Sequence, residues 1–162
     1  MSQMNSGPAG MEELKSCLAQ YREFLDQMVE EQNEKLAVLL THDLEAIEGN
    51  VAKQQALSLQ MKNREEARLR LQQRAGFGEM TMEEIAGTLE GEDKQWFAEC
   101  LAGMRRSIEQ IKYLNGKAMQ LVETDLAMIR LAQPEDPSGV QGYTEKGRQT
   151  APDQDLLLDS KI

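Results

Sequence analysis

The sequence predicts an all-α fold: a long antiparallel helical hairpin, a third long helix completing a coiled-coil-like bundle, a short connector helix and a flexible C-terminal tail. Two observations carry this. Apolar residues recur at steps of three and four along three long stretches, the spacing that gathers them on one side of an α-helix. The composition agrees, because aromatics make up only 4% of the 162 residues and ten methionines accompany abundant Leu, Ala, Glu, Gln and Lys, which are strong helix formers.

Residues 1–10 carry no basic region followed by an apolar stretch, so they do not read as a secretory signal and are expected to be disordered. The first helix starts at Met11 and its seam runs Met11, Leu14, Leu18, Tyr21, Leu25, Met28, alternating three- and four-residue steps. The seam then passes Gln32 and shifts to Leu36, Leu39 and Leu40, ending near Thr41. Thr41-His42-Asp43 offers capping side chains before a second periodic stretch, Leu44, Ile47, Val51, Leu57, Met61, so the chain turns there into an antiparallel arm. That arm continues to about Arg74, where Ala75-Gly76-Phe77-Gly78 stops it.

Thr81-Met82-Glu83-Glu84 fits a capping box, and Ile85, Ala86 and Leu89 supply an apolar side for a short connector before Gly91. The third long helix runs from about Glu92 to Ala132, stopped by Pro134, along the seam Phe97, Leu101, Met104, Ile108, Ile111, Asn115, Ala118, Val122 and on to Leu126 and Ile129. Residues 11–132 thus form the bundle. From 133 to 162 prolines and glycines interrupt the pattern until Leu156-Leu157-Leu158, which read either as a docking motif or as weak packing onto the bundle.

The totals exclude several functions. A net charge of -10 repels phosphate backbones and anionic membranes, so neither nucleic acid nor a membrane is an expected partner. No run of eighteen apolar residues offers a span. Cys17 and Cys100 stand apart with no Cys or His partner at ligand spacing; they read as two buried reduced thiols in a cytosolic protein. His42 is the sole histidine, and no nucleophile–base pair, Glu-x-x-His motif or phosphate-binding glycine loop accompanies it. No enzyme activity, metal or cofactor is expected. The basic cluster Lys62, Arg64, Arg68, Arg70, Arg74 has two readings: a site for an acidic partner, or cations favoured near a helix C-terminus beside Glu90, Glu92 and Asp93.

The last helix is the expected working surface. On a helical wheel, Ile111, Leu114, Ala118, Met119, Leu121, Val122, Leu126, Met128 and Ile129 fill an arc of roughly 180°, wider than one seam requires. Its length, roughly 60 Å, exceeds either hairpin arm, so its end is expected to overhang and to need a cover: the tail, a second copy or a partner helix. Asn115 lies on the seam, where its amide needs partners, and Gly116 beside it weakens the helix locally.

Leu114-Asn115-Gly116, then Leu121-Val122 and, after a polar break, Tyr143-Thr144-Glu145-Lys146-Gly147 resemble the FlgN family of flagellar type III export chaperones, over about residues 11–147. Ala118 stands where the family pattern has a second asparagine, and Thr144 where it has a glycine. The resemblance implies binding to the C-terminal helices of the hook-associated (hook–filament junction) proteins, which are kept from premature assembly and delivered to the export gate. Together with the apolar arc it gives the expected client contacts Leu114, Asn115, Ala118, Met119, Leu121, Val122, Leu126 and Ile129, and it implies an export-gate contact at Tyr143 and Gly147; a monomer or weak dimer is expected. The competing expectation is a homo-oligomeric structural coiled coil or adaptor, in which the broad face of the last helix pairs with itself.

Overall fold

Three long helix-forming stretches and one short one fold as helices in the computed structural model, which describes residues 8–132. They are α1 (Pro8–Thr41), α2 (Leu44–Arg74), α3 (Met82–Thr88) and α4 (Gly91–Ala132), and no strand occurs among the described residues. The all-helical hairpin with a connector and a third long helix is thus as the periodicity predicts. α1 starts three residues earlier than the seam, at Pro8, a position where a missing N–H costs a helix nothing. Tyr143, Gly147 and Leu156-Leu157-Leu158 lie outside the described residues.

The hairpin turn is held locally. Asp43 caps α2 by accepting from the Glu45 N–H at 3.1 Å and, more loosely, from Ala46, a cap worth about 1 kcal/mol. His42 supplies the left-handed residue, at φ 57°. At the other end of α2 the chain escapes through Gly76 and Gly78, with φ of 91° and 60°, and Thr81 with Glu84 forms the expected reciprocal capping box at 3.1 Å in both directions.

α1 is the helix on which the others depend. α2 runs antiparallel to it and α4 parallel, and these two outer helices meet each other only marginally. The parallel register of α1 and α4 is regular: Lys15 pairs with Asp93, the Ser107 hydroxyl donates to Asp26 at 2.6 Å, and Lys35 donates to Asn115 at 2.5 Å. The last helix therefore packs on one arm, α1, rather than on the hairpin as a whole.

The core occupies the end of the molecule away from the hairpin turn. Leu14, Leu18, Tyr21, Leu25 and Met28 of α1, each at most 6% exposed, meet Phe97, Cys100, Leu101, Met104, Ile108 and Ile111 of α4. α3 packs on α4 and closes this base, with Met82 and Ile85 each 1% exposed. Cys100 is buried as expected, whereas Cys17 is half-buried.

Helix two departs from its expected seam. Leu44 and Val51 are exposed, and Arg68 is 1% exposed. Arg68 donates from Nε to Glu65 Oε2 at 3.1 Å and from Nη1 to Gln72 Oε1 at 2.8 Å, and the Gln72 amide donates to the carbonyls of Gly78 and Met80 at 3.0 and 2.6 Å. The buried phenol of Tyr21 is pushed well above its usual pKa by burial and then by Glu65, to which it is hydrogen-bonded. Arg68 is therefore not a C-terminal cation answering Glu90, Glu92 and Asp93. Asp93 is paired with Lys15, and Arg68 organises an internal polar network that also ties down the loop after α2.

Removing Arg68 takes the guanidinium donors from the half-buried Glu65 carboxylate and from the buried Gln72 amide oxygen. Arg68→Ala is expected to lower unfolding stability by about 3 kcal/mol, read as a shift of the urea midpoint. A loss under about 0.5 kcal/mol, typical of a surface substitution, would show that the network contributes nothing.

Candidate functional site

Burial along α4 changes at a single level. Up to Ile111 its inward side is closed, and after Ile111 only Ala118, 4% exposed, is buried. Leu114, Asn115, Leu121, Val122 and Leu126 are half-buried, and Met119, Met128, Ile129 and Leu131 are exposed. Seven of the eight expected client contacts therefore reach the surface wholly or in part, while Ala118 lies beneath it, packed inside the described chain.

The other helices change at the same level. Beyond Met28, α1 presents Leu36, Val38 and Leu39 half-buried and Leu40 exposed; the facing part of α2 presents Ile47 half-buried, and Leu44 and Val51 exposed. At the base, α3 supplies a fourth element that seals the core. In the half nearest the turn no fourth element stands among the described residues, so apolar residues on each of the three helices are left partly or wholly open, surface of the kind a further helix can cover.

A polar layer separates the two halves. The buried Gln32 amide donates to Gln54 Oε1 at 2.9 Å, Lys53 bridges Glu31 and Glu34 at 2.9 and 2.8 Å, and Lys35 holds Asn115 across the α1–α4 contact. Asn115 thus finds the partner that its seam position demands. Burial holds the Lys35 amine below its ordinary 10.5, and no carboxylate among the described residues pairs with it in compensation. Lys35 escaped the sequence reading, which moved the seam to Leu36. The signal was available: Met28, Gln32, Lys35 and Leu39 continue the four–three–four spacing inward.

At its far end α4 outruns α1. His42, just past the end of α1, lies 3.4 Å from Asp125, so the last seven residues of α4 project about 10 Å beyond the hairpin turn. Met128 and Ile129 fall within about 60° of Asp125 on the helix and continue the α1-facing side past the point where α1 stops, which explains their 64% and 46% exposure. The expected overhang is present.

Among the described residues no catalytic or metal-binding constellation is brought together. His42 is exposed and touches one carboxylate, and no group of His, Cys, Asp and Glu among the described residues could hold a metal ion. A shallow depression between α1 and α2 is lined by Ser16, Cys17, Gln20 and Arg64. Its thiol is pushed up by burial, against the pull of Arg68 and Arg64, and is a poor nucleophile. No helix among the described residues is long and apolar enough to cross a membrane.

A family model described as FlgN protein matches residues 4–150 of the chain, a span that takes in every described helix. No curated protein and no solved structure gives a match.

The depressed amine of Lys35 makes a signed pH prediction. The unfolded chain binds this proton more tightly than the folded one, so folding is penalised while the amine is charged, and the penalty fades as pH rises toward 10.5. Lys35→Met removes that dependence. The stability of the wild type relative to the variant is expected to improve between about pH 7 and about pH 10 in urea titrations of both proteins; a constant difference would show that the amine is not desolvated.

Proposed function

The chain belongs to the FlgN family of flagellar export chaperones, and we propose that it holds the C-terminal helices of the hook-associated proteins on the open face of α4, keeps them from assembling in the cytosol and passes them to the type III export gate. One observation supports this most directly. The base of the bundle is closed by α3, whereas the half beyond the polar layer presents an apolar face built from α1, α2 and α4 with the place of a fourth helix vacant among the described residues. An amphipathic client helix fits that place with its apolar side inward.

Leu114, Leu121, Val122 and Leu126 form the half-buried floor, and Met119 and Ile129 its exposed edge. Methionine suits an edge that must accept more than one client sequence, because its side chain adapts without strain. Asn115 sits at the base-side limit of this face, where Lys35 already engages its oxygen. Ala118 acts from below, its small side chain letting α4 approach α1 and setting the depth of the face. Holding and releasing a client needs no bond-making step.

The export-gate contact is assigned to Tyr143 and Gly147, on the family motif they resemble. They follow the end of α4, so a client on its face and a gate contact beyond it are read by separate parts of the chain.

Co-purification from flagellated cells is expected to recover hook-associated proteins, and Val122→Asp or Leu126→Asp to weaken client binding at least about 30-fold, corresponding to roughly 2 kcal/mol, with the helical circular dichroism unchanged. Binding unaffected by both would rule out the face, and a client-insensitive dimer or tetramer in light scattering would point to self-association instead. Tyr143→Ala should impair export while leaving client affinity within about twofold. Loss of client binding in that variant would place Tyr143 in the client site.

A further inference from the structure

The distal end of the molecule exposes more apolar surface than its helices use. Leu40 before the turn, Leu44 after it, and Met128, Ile129 and Leu131 on the α4 overhang are between 46% and 83% exposed, and the His42–Asp125 contact places them at the same end. Large exposed apolar side chains gathered at one end of the molecule call for a cover. We infer that Leu156-Leu157-Leu158 of this chain's own C-terminal segment docks on the distal end and shields it until a client helix displaces it.

Three facts select this occupant. The chain leaves α4 at Ala132, within the exposed end itself, so the segment that follows is tethered there. Among residues 133–162 the only run of three consecutive apolar side chains is Leu156-Leu157-Leu158. The connecting stretch of 23 residues, 133–155, has a root-mean-square reach of roughly 24–29 Å, and the targets on α4 lie about 6 Å or less along the helix from its origin. A tether of this length holds the leucines at a local concentration near ~1 mM. A second copy at micromolar concentration would have to bind about a hundred- to a thousandfold more tightly to compete.

The composition around the leucines suits a cover that must come off. Asp153, Asp155 and Asp159 flank the run, and the distal end carries Asp43, Glu45, Glu48, Glu123 and Asp125 of its own, so docking rests on apolar contact against some like-charge repulsion. A contact that weak is occupied when tethered and lost to a longer client helix. The leucine run also lies beyond the stretch matched by the family model, which ends at residue 150.

The test is hydrogen exchange on the full-length protein without client, comparing wild type with the variant carrying Leu156→Ser, Leu157→Ser and Leu158→Ser. Amides of residues 126–132 and 44–48 are expected to exchange at least twofold faster in the variant, independent of protein concentration between 1 and 50 µM. Leu44→Ser with Leu131→Ser, both at exposed positions that should not disturb folding, is expected to speed exchange at residues 156–159. Equal rates at the distal end in wild type and the leucine variant would overturn the inference. Protection there that grows with protein concentration and ignores the leucines would assign the surface to a second copy instead. Because no client is present, this outcome is independent of whether the proposed chaperone clients bind.

Discussion

The contact between the Lys35 amine and the Asn115 amide oxygen governs how the rest of the molecule is arranged. Neither group can be left bare where it lies, since an unsatisfied buried polar group costs about 1–3 kcal/mol, and each finds its partner on the opposite helix. Gln32 and Gln54 are joined likewise between α1 and α2, the Gln32 amide donating to Gln54, while the Gln32 Oε1 atom has no partner among the described residues. A layer whose bonds run sideways, from helix to helix, resists the sliding of α4 and α2 against α1. Sliding α4 by one turn would set the amine against Ile111 or Met119 in place of Asn115. Such a layer adds little net stability, because a charge is desolvated to build it, but it defines one register.

The layer also divides the work. On the base side the apolar residues of α1 and α4 close completely, α3 completes the seal and the Glu65–Arg68–Gln72 network anchors the loop that delivers α3. On the far side helix-forming residues keep the arms helical, but tertiary contact is incomplete. Gly116, exposed and without any neighbour where a side chain would project, lies at the same level and costs α4 about 1 kcal/mol relative to alanine. The rigid base and the adjustable half are therefore parts of one continuous set of helices, joined where the polar layer and the weak point of α4 coincide.

How much of this could be read from the residues follows from the kind of signal each leaves. The helix ends at Thr41, Arg74 and Ala132, the Asp43 cap and the Thr81–Glu84 box were legible because capping and stop signals act within a few residues. The overhang of α4 followed from length alone. Leu44 and Val51 were misplaced because spacing shows that residues share a side of a helix, not that anything covers that side. Arg68 misled for the converse reason: an arginine near a helix end reads as surface charge unless Glu65 and Gln72, three residues before and four after, are seen as its internal partners. Lys35 was hidden by the same prejudice. Of the candidate site, the broad apolar arc was visible in advance, whereas the level at which it opens depends on the partly vacant space between α2 and α4, which is a property of three helices together.

The parallel course of α1 and α4 has an electrostatic consequence. Both helices direct their C-terminal carbonyls toward the turn end, where α2 alone presents an N-terminus, already answered by Asp43 and Glu45. Each helix C-terminus carries the equivalent of roughly half a negative charge; α1 has no basic residue in its last turn to offset it, whereas Arg130 stands in the last turn of α4. The turn end is thus a negative pole of the peptide dipoles themselves, apart from any side chain. A helix laid into the open half is favoured by about 0.3–1 kcal/mol when its own N-terminus points to that pole, which orients it antiparallel to α4 and gives the face a preferred direction of reading.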